Sequence, residues 1–360
     1  MESRINDAVT RAKKSLRSIK HSTLVGLQRS LHYTGAARLD KRLAPCEGFL
    51  TLMYHSVPDL LKARFVNPQW AIPPDVFDKQ LSLLKQRCNV VSLAQAVAWM
   101  QSKGSLPGRA VVLTFDDGYL DNLEVAAPLL RWHRLPATVF VATGYVDRQE
   151  PQWADELHCM LAYRQSQKVQ LSAVPQAFDL STEQGERAAA GIWAGMLLSG
   201  NAEFRRKLLN ELKAGLEPNR TVPRLTLSWE HLRTLHRIYP EIELGLHSHD
   251  HLDLAALPLE AAVAEIQHSQ SRFEAEMGFK ARSMSFPYGR STPALAARLP
   301  ELGIDAAFTT QPTQRTLIGH NPWSMSRYEV NCSMTDFRLW SEGAMPDLGK
   351  LVFGRVADQT

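Results

Sequence analysis

The sequence predicts an α/β fold built on a parallel sheet or barrel, and three observations predict it. Short apolar runs alternate with helical stretches along most of the chain. Three of the predicted strands are followed at once by polar clusters, where parallel α/β folds assemble their sites. A long stretch without a convincing strand interrupts the alternation once. Composition agrees, since 360 residues with 44% apolar and 22% charged side chains are globular values that exclude disordered, collagen-like and coiled-coil chains.

In chain order, Phe49–Tyr54, Ala110–Phe115, 138–142 and Ile242–Leu246 are continuous or near-continuous apolar runs of strand length. The runs 282–286, 305–309 and 325–330 are weaker strand candidates. Helical spacing places helices near 75–87, 92–103, 121–134, 228–238, 258–277 and 292–302. Pro258 and Glu260 suit the first turn of one of these, and Gly278 suits its end. Residues 147–225 hold helical stretches near 153–165, 183–198 and 201–215 and read as a helical insertion covering the mouth of the fold. The expected domain runs over 48–335, with a C-terminal tail over 336–360.

Charge is uneven. Residues 1–45 carry a net +7 and the remainder −3, so a basic nucleic-acid-binding surface is excluded and a basic N-terminal segment remains. Ile5, Val9, Ala12, Leu16, Ile19, Leu24, Leu27 and Leu31 fall at helical spacing within it. This amphipathic helix either packs on the main domain or makes peripheral contact, through residues 1–31, with an anionic membrane. Arg4, Arg11, Lys13, Lys14, Arg17 and Lys20 interrupt any secretory apolar core, and no stretch approaches a spanning helix. Cys46, Cys88, Cys159 and Cys332 lack any paired or metal-type spacing. The expected location is cytoplasmic, peripheral at the inner face of the membrane.

Three clusters carry chemistry. In Leu113-Thr114-Phe115-Asp116-Asp117-Gly118, two carboxylates leave a buried strand together: one can bind a cation while the other takes a proton from a bound water. Alone, an Asp-Asp-Gly turn capping a helix reads equally well. In His247-Ser248-His249-Asp250-His251, His247 and His251 sit four apart, the spacing that puts two imidazoles on one side of a helical turn. Two imidazoles and a carboxylate leave an open position, as catalytic zinc requires. His249 is out of phase with the pair. In Ser285-Phe286-Pro287-Tyr288-Gly289, a fixed bend and a permissive glycine let the Tyr288 amide serve as an oxyanion donor.

Taken in order, Thr114 to Gly118, then His247-Ser248-x-x-His251, then Phe286-Pro287-Tyr288-Gly289 resemble the successive motifs of the polysaccharide deacetylase family (NodB homology, carbohydrate esterase family 4). Met53-Tyr54-His55-Ser56-Val57 and Leu227-Ser228-Trp229-Glu230-His231-Leu232 are similar to segments of its bacterial exopolysaccharide and cell-envelope branch. The resemblance spans about residues 48–335 and implies a distorted (β/α) barrel of about seven strands. It implies a metal-dependent deacetylase, a hydrolase of carbon–nitrogen bonds, that removes an N-acetyl group from an amino sugar of a polysaccharide or other glycan; the expected cytoplasmic location and basic N-terminal helix favour a lipid-linked or nucleotide-linked saccharide over finished extracellular polymer. Asp116 matches the base that deprotonates a metal-bound water, and Asp117, His247 and His251 match the ligands of a divalent metal, usually Zn2+. Tyr288 matches the backbone oxyanion donor, and Pro287 with Tyr288 the substrate contacts.

Two departures stand out. Ser285 occupies the position where the family carries an arginine that orients the base, so that arginine is missing or supplied elsewhere. The family's late Leu-x-His, whose histidine is the general acid, has only Ile318-Gly319-His320 as a superficial counterpart. His55, leaving the first strand at the barrel mouth, is the better candidate for acid or substrate contact. Trp153 and Trp323 read equally as sugar-stacking or packing residues, and Arg327 as a site contact or the partner of a carboxylate. The alternative functions are deformylation or O-ester hydrolysis at the same site, or a non-catalytic glycan-binding barrel.

Overall fold

The structure, a computed structural model, describes residues 47–174, 177–310 and 315–341. The basic segment expected over residues 1–45, Cys46 and residues 342–360 of the expected tail lie outside them. Two compact units divide the chain, Gly48–Cys332 and a second formed by 1–47 with 333–360.

The larger unit contains β1 (Phe49–Tyr54), β2 (Asn89–Val90), β3 (Ala110–Phe115), β4 (Ala137–Val141), β5 (Lys168–Val169), β6 (Phe178–Asp179) and β7 (Ile242–Leu246). It continues with β8 (Ser283–Ser285), β9 (Ala306–Phe308) and β10 (Tyr328–Glu329). Seven of these follow one another in the order β10-β1-β3-β4-β7-β8-β9, every pairing parallel. β3 pairs with β1 along its whole length, and its other edge is shared by β2 at the start and β4 at the end. At the far side of the path, Phe308 bridges Met325, and the same stretch runs on into β10 beside β1. The segment 325–329 thus links the two ends of the curled sheet. Every residue of β1, β3 and β4 is buried, as expected of parallel strands covered on both faces. Phe49, Val112, Phe140, Phe308 and Met325 belong to one apolar cluster of this core.

Helices fill the connections where the periodicity predicts them, α1 (Pro74–Arg87), α2 (Leu93–Met100) and α3 (Ala127–His133), and a short helix that the periodicity does not predict, α4 (Thr143–Arg148), follows β4. Ser92 and Gln95 close a reciprocal cap on α2, and a π-helical turn over Asn122–Ala126 precedes α3. The insertion supplies α5 (Trp153–Ala162), α6 (Glu183–Ser199) and α7 (Ala202–Leu216). These pack on a core of their own that includes Leu157, Val169, Trp193, Leu208 and Leu212. It also contains β5 and β6, an antiparallel pair where no strand is expected; two residues per strand are too few to show a period. The unit closes with α8 (Trp229–Ile238), α9 (Leu259–Met277) and α10 (Pro293–Arg298). Gly278, with φ of 80°, ends α9 as expected.

In the smaller unit, α11 runs over Met334–Ser341, where the sequence reading starts a tail. Ser333 caps it by accepting from the Asp336 amide at 3.2 Å.

Candidate active site

Asp116 and Asp117 leave the C-terminal end of β3 in different directions because the backbone changes hand between them. The Asp116 amide still donates to Tyr54 O at 3.0 Å, extending the ladder by one residue. Asp117 then turns with φ of 71° and Gly118 with 68°. At Gly118 the turn demands glycine twice over, since a Cβ would also lie 2.9 Å from Val141 Cγ1.

The histidines arrive from the end of β7, where the His247 amide donates to Val141 O at 2.8 Å. Their four-residue spacing does not form the helical turn it suggests. Ser248 and His251 instead adopt left-handed φ values of 61° and 51°, and this folded loop brings the two rings to 4.8 Å between centroids. His249 is held outside the pair, its Nδ1 2.9 Å from Thr143 Oγ1.

The Asp117 Oδ1 atom lies 3.4 Å from His247 Nε2 and 3.1 Å from His251 Nε2. One ligand atom from each residue falls within 4.8 Å of the others, and Asp117 Oδ1 is a buried oxygen with no hydrogen-bond partner. His247 Nδ1 lies 2.8 Å from Ser285 O. A carbonyl only accepts, so Nδ1 carries the hydrogen and the Nε2 lone pair points towards Asp117. Burial pushes the His247 pKa down to about 4, leaving the ring neutral and able to ligate at neutral pH. Two imidazole nitrogens and an orphaned carboxylate oxygen suit a divalent cation such as zinc.

Arg327 answers the departure at Ser285. Its guanidinium forks onto Asp116, Nη1 to Oδ1 and Nη2 to Oδ2, both at 2.7 Å. Ser285 Oγ accepts from Nη2 at 2.7 Å and donates to Asp116 Oδ2 at 3.0 Å. The short serine leaves room for an arginine arriving from the segment that joins the sheet ends. The Arg327 side chain is fully buried, its guanidinium carbon 5.9 and 5.6 Å from the ring centroids of the neighbouring Phe140 and Phe308. Burial alone would raise the Asp116 carboxyl, but the Arg327 charge outweighs it, with His247 adding, and holds it well below the usual carboxylate range.

Asp116, Asp117, His247 and His251 open onto a cavity of about 420 Å³ that is also lined by His55, Trp70, Trp153 and Tyr288. His55 therefore stands where the sequence reading put it, with its ring 5.0 Å from that of Trp70. The insertion contributes Ala194, Gly195 and Leu198 of α6 to the wall. Tyr288, on a turn with φ of 58°, is part of the wall; Pro287 is buried and is not among the lining residues, because it sets the turn from beneath. Gly289 takes φ of 62°, and a Cβ there would meet Thr310 Oγ1 at 1.9 Å. Trp323 packs elsewhere, donating through Nε1 to Ile304 O at 2.8 Å, and His320 is exposed on a loop. The sequence reading passes over Arg205 entirely. This buried residue of α7 donates to the main-chain oxygens of Asp250 and His251 at 3.0 and 2.9 Å.

Comparison with known proteins follows the same outline. The family model described as polysaccharide deacetylase matches residues 103–169 and 225–307, two blocks separated by most of the helical insertion. A Staphylococcus aureus protein named poly-beta-1,6-N-acetyl-D-glucosamine N-deacetylase is 29% identical over 112 residues, 28% of this chain. The match covers 38% of that relative's own length. The Streptococcus pyogenes deacetylase PplD superposes with a TM-score of 0.53 at 16% identity, over 83% of this chain and 99% of its own. IcaB from Ammonifex degensii gives 0.54 at 19% identity, over 83% and 96%. At these identities the structures share the barrel fold, while the family match rests on the sequence blocks that contain Asp116, Asp117, His247, His251 and Tyr288. Across those two blocks the chain is similar to the polysaccharide deacetylase family.

Proposed function

We propose that this chain hydrolyses the N-acetyl group of an amino sugar with a divalent cation, zinc by its donor set, held by Asp117, His247 and His251. The observation that carries this reading is the Asp116 carboxylate, fixed in ionised form by Arg327 and Ser285 at the edge of a cavity that also presents the three ligands. When bound, the cation polarises the amide carbonyl and acidifies water beside it. Asp116 takes the proton of the attacking water, its orientation set by the guanidinium fork. The Tyr288 amide donates to the oxygen that gains charge, a contribution typically worth about 3 kcal/mol. His55 lines the same cavity and protonates the departing amine. Trp70 and Trp153 offer aromatic faces to the sugar ring. Two departures, Ser285 and the missing late histidine, favour a non-catalytic barrel; Arg327 supplies the guanidinium that the first lacks, and in this reading His55 stands in for the second.

The substrate we favour is an amino sugar carried on a lipid or nucleotide at the inner membrane face, since the +7 charge of residues 1–45 suits an anionic surface. Acetate release from N-acetyl and O-acetyl amino-sugar substrates tests the reaction, with formate release from N-formyl analogues alongside. Turnover of the N-acetyl compounds, lost in Asp116→Asn while metal is retained, is the expected result. Turnover of O-acetyl or N-formyl compounds alone would replace the reading. Deleting residues 1–31 should weaken sedimentation with vesicles containing anionic lipid; unchanged sedimentation would reduce that segment to a packing role.

A further inference from the structure

The two histidines are held in unlike ways. A carbonyl fixes the hydrogen of His247 on Nδ1, whereas His251 Nδ1 faces the Tyr288 hydroxyl at 3.1 Å, a group that can donate or accept. The tautomer of His251 therefore depends on what else holds that hydroxyl. Trp153 Nε1 donates to it at 2.9 Å and Arg205 Nη2 at 3.3 Å, and neither group can accept. The main-chain oxygen of His251 lies 3.3 Å away and can only accept. A hydroxyl that gives its one hydrogen to that oxygen has two lone pairs: the Trp153 hydrogen takes one, and the other is shared between the longer Arg205 contact and a hydrogen on His251 Nδ1. That leaves Nε2 unprotonated and facing Asp117 Oδ1 at 3.1 Å.

Both outside donors come from the helical insertion. Trp153 opens α5, and Arg205, on α7, is only 3% exposed and forms no ion pair among the described residues. Its other hydrogens go to main-chain oxygens: Leu197 and Leu198 in the last turn of α6, and Asp250 and His251 in the ligand loop. One buried cation thus satisfies a helix C-terminus and ties it to the loop that carries a ligand.

We propose that Tyr288 is a positioning residue through its hydroxyl, fixing His251 as the tautomer that leaves Nε2 free, and that Trp153 and Arg205 make the insertion a working part of the metal centre. The proposal rests on the reading of Asp117, His247 and His251 as ligands. It is distinct from the role of the Tyr288 amide, because Tyr288→Phe removes the hydroxyl and keeps the amide. Outer partners of metal-bound histidines commonly change affinity by about 10- to 100-fold when removed.

The test uses the full chain, stripped of metal. In ¹⁵N spectra at pH 8, His251 should be the Nδ1–H tautomer in the wild type and shift towards Nε2–H in Tyr288→Phe. Zn2+ affinity, read by competition with a chelating dye, should fall about 10- to 100-fold in Tyr288→Phe. It should fall less in Trp153→Phe, which keeps a ring but loses the N–H. Arg205→Lys, which keeps the charge, should retain more affinity than Arg205→Ala. An Nε2–H tautomer in the wild type, or wild-type Zn2+ affinity in Tyr288→Phe, would overturn the inference. If His251→Ala binds Zn2+ as tightly as the wild type, the ligand assignment fails instead, and the tautomer measurement still decides the role of the hydroxyl.

Discussion

Replacing Arg327 with methionine should damage stability and turnover together, with a pH signature that identifies the cause. The substitution keeps much of the apolar stem and removes the fork that meets both oxygens of Asp116. The ion pair is buried, with side-chain exposures of 0% and 3%, so removing one partner leaves the carboxylate with its countercharge gone and little solvent to replace it. Breaking a buried pair in this way costs about 3–5 kcal/mol. In the wild type the folded-state Asp116 pKa is depressed, so its contribution is present at neutral pH and lost as pH falls through that value. In the variant, burial is no longer opposed by Arg327 and disfavours the charged form. The stability gap between the two proteins should therefore widen as pH rises above about 4. Urea unfolding of metal-stripped protein at pH 5 and pH 8 measures it, and turnover should fall about 10²- to 10⁴-fold as the base loses its orientation. Arg327→Lys, which keeps the charge but not the fork, should recover more stability than turnover. Wild-type stability at pH 8, or an equal gap at both pH values, would refute the reasoning.

Other consequences follow from the same geometry. Asp155 is fully buried and accepts from the Asn67 amide and the Tyr119 hydroxyl, both at 2.7 Å, yet burial raises its pKa to about 7. Because the folded value lies above the unfolded one, the wild type should lose stability as pH climbs from about 4 to about 7, by at most about 4 kcal/mol. Asp155→Asn should flatten that slope in unfolding curves at pH 5 and 8; an unchanged slope would mean that the carboxyl is ionised throughout. Gly289→Ala places a methyl 1.9 Å from Thr310 Oγ1 on a left-handed residue, so it should destabilise by about 2–4 kcal/mol and displace Tyr288. Gly191→Ala, where nothing lies within 4 Å, should instead raise the melting temperature slightly through helix propensity. The opposite order of the two melting temperatures would contradict this account of the turn.

The strands were legible wherever burial on both faces made the sequence continuously apolar, as in β1, β3 and β4. The site was legible because its residues cluster at strand ends: Asp116 with Asp117, and His247 with His251. Spacing failed where the backbone changes hand. The interval between the histidines suits a helical turn, and only the left-handed Ser248 and His251 reveal how the rings meet. Arg327 could be suspected as a partner for a carboxylate but not assigned, because it lies 211 residues from Asp116 and reaches it only where the sheet ends join. Arg205 carried no local signal at all. In an amphipathic helix a single arginine reads as surface, and its burial depends on a ligand loop 45 residues further on.

The most direct test of the central claim is the metal content of purified wild-type protein and of His251→Ala after reconstitution with zinc. The account predicts about one metal per wild-type chain and its loss in the variant. Equal metal in the two proteins, or none in either, would contradict it.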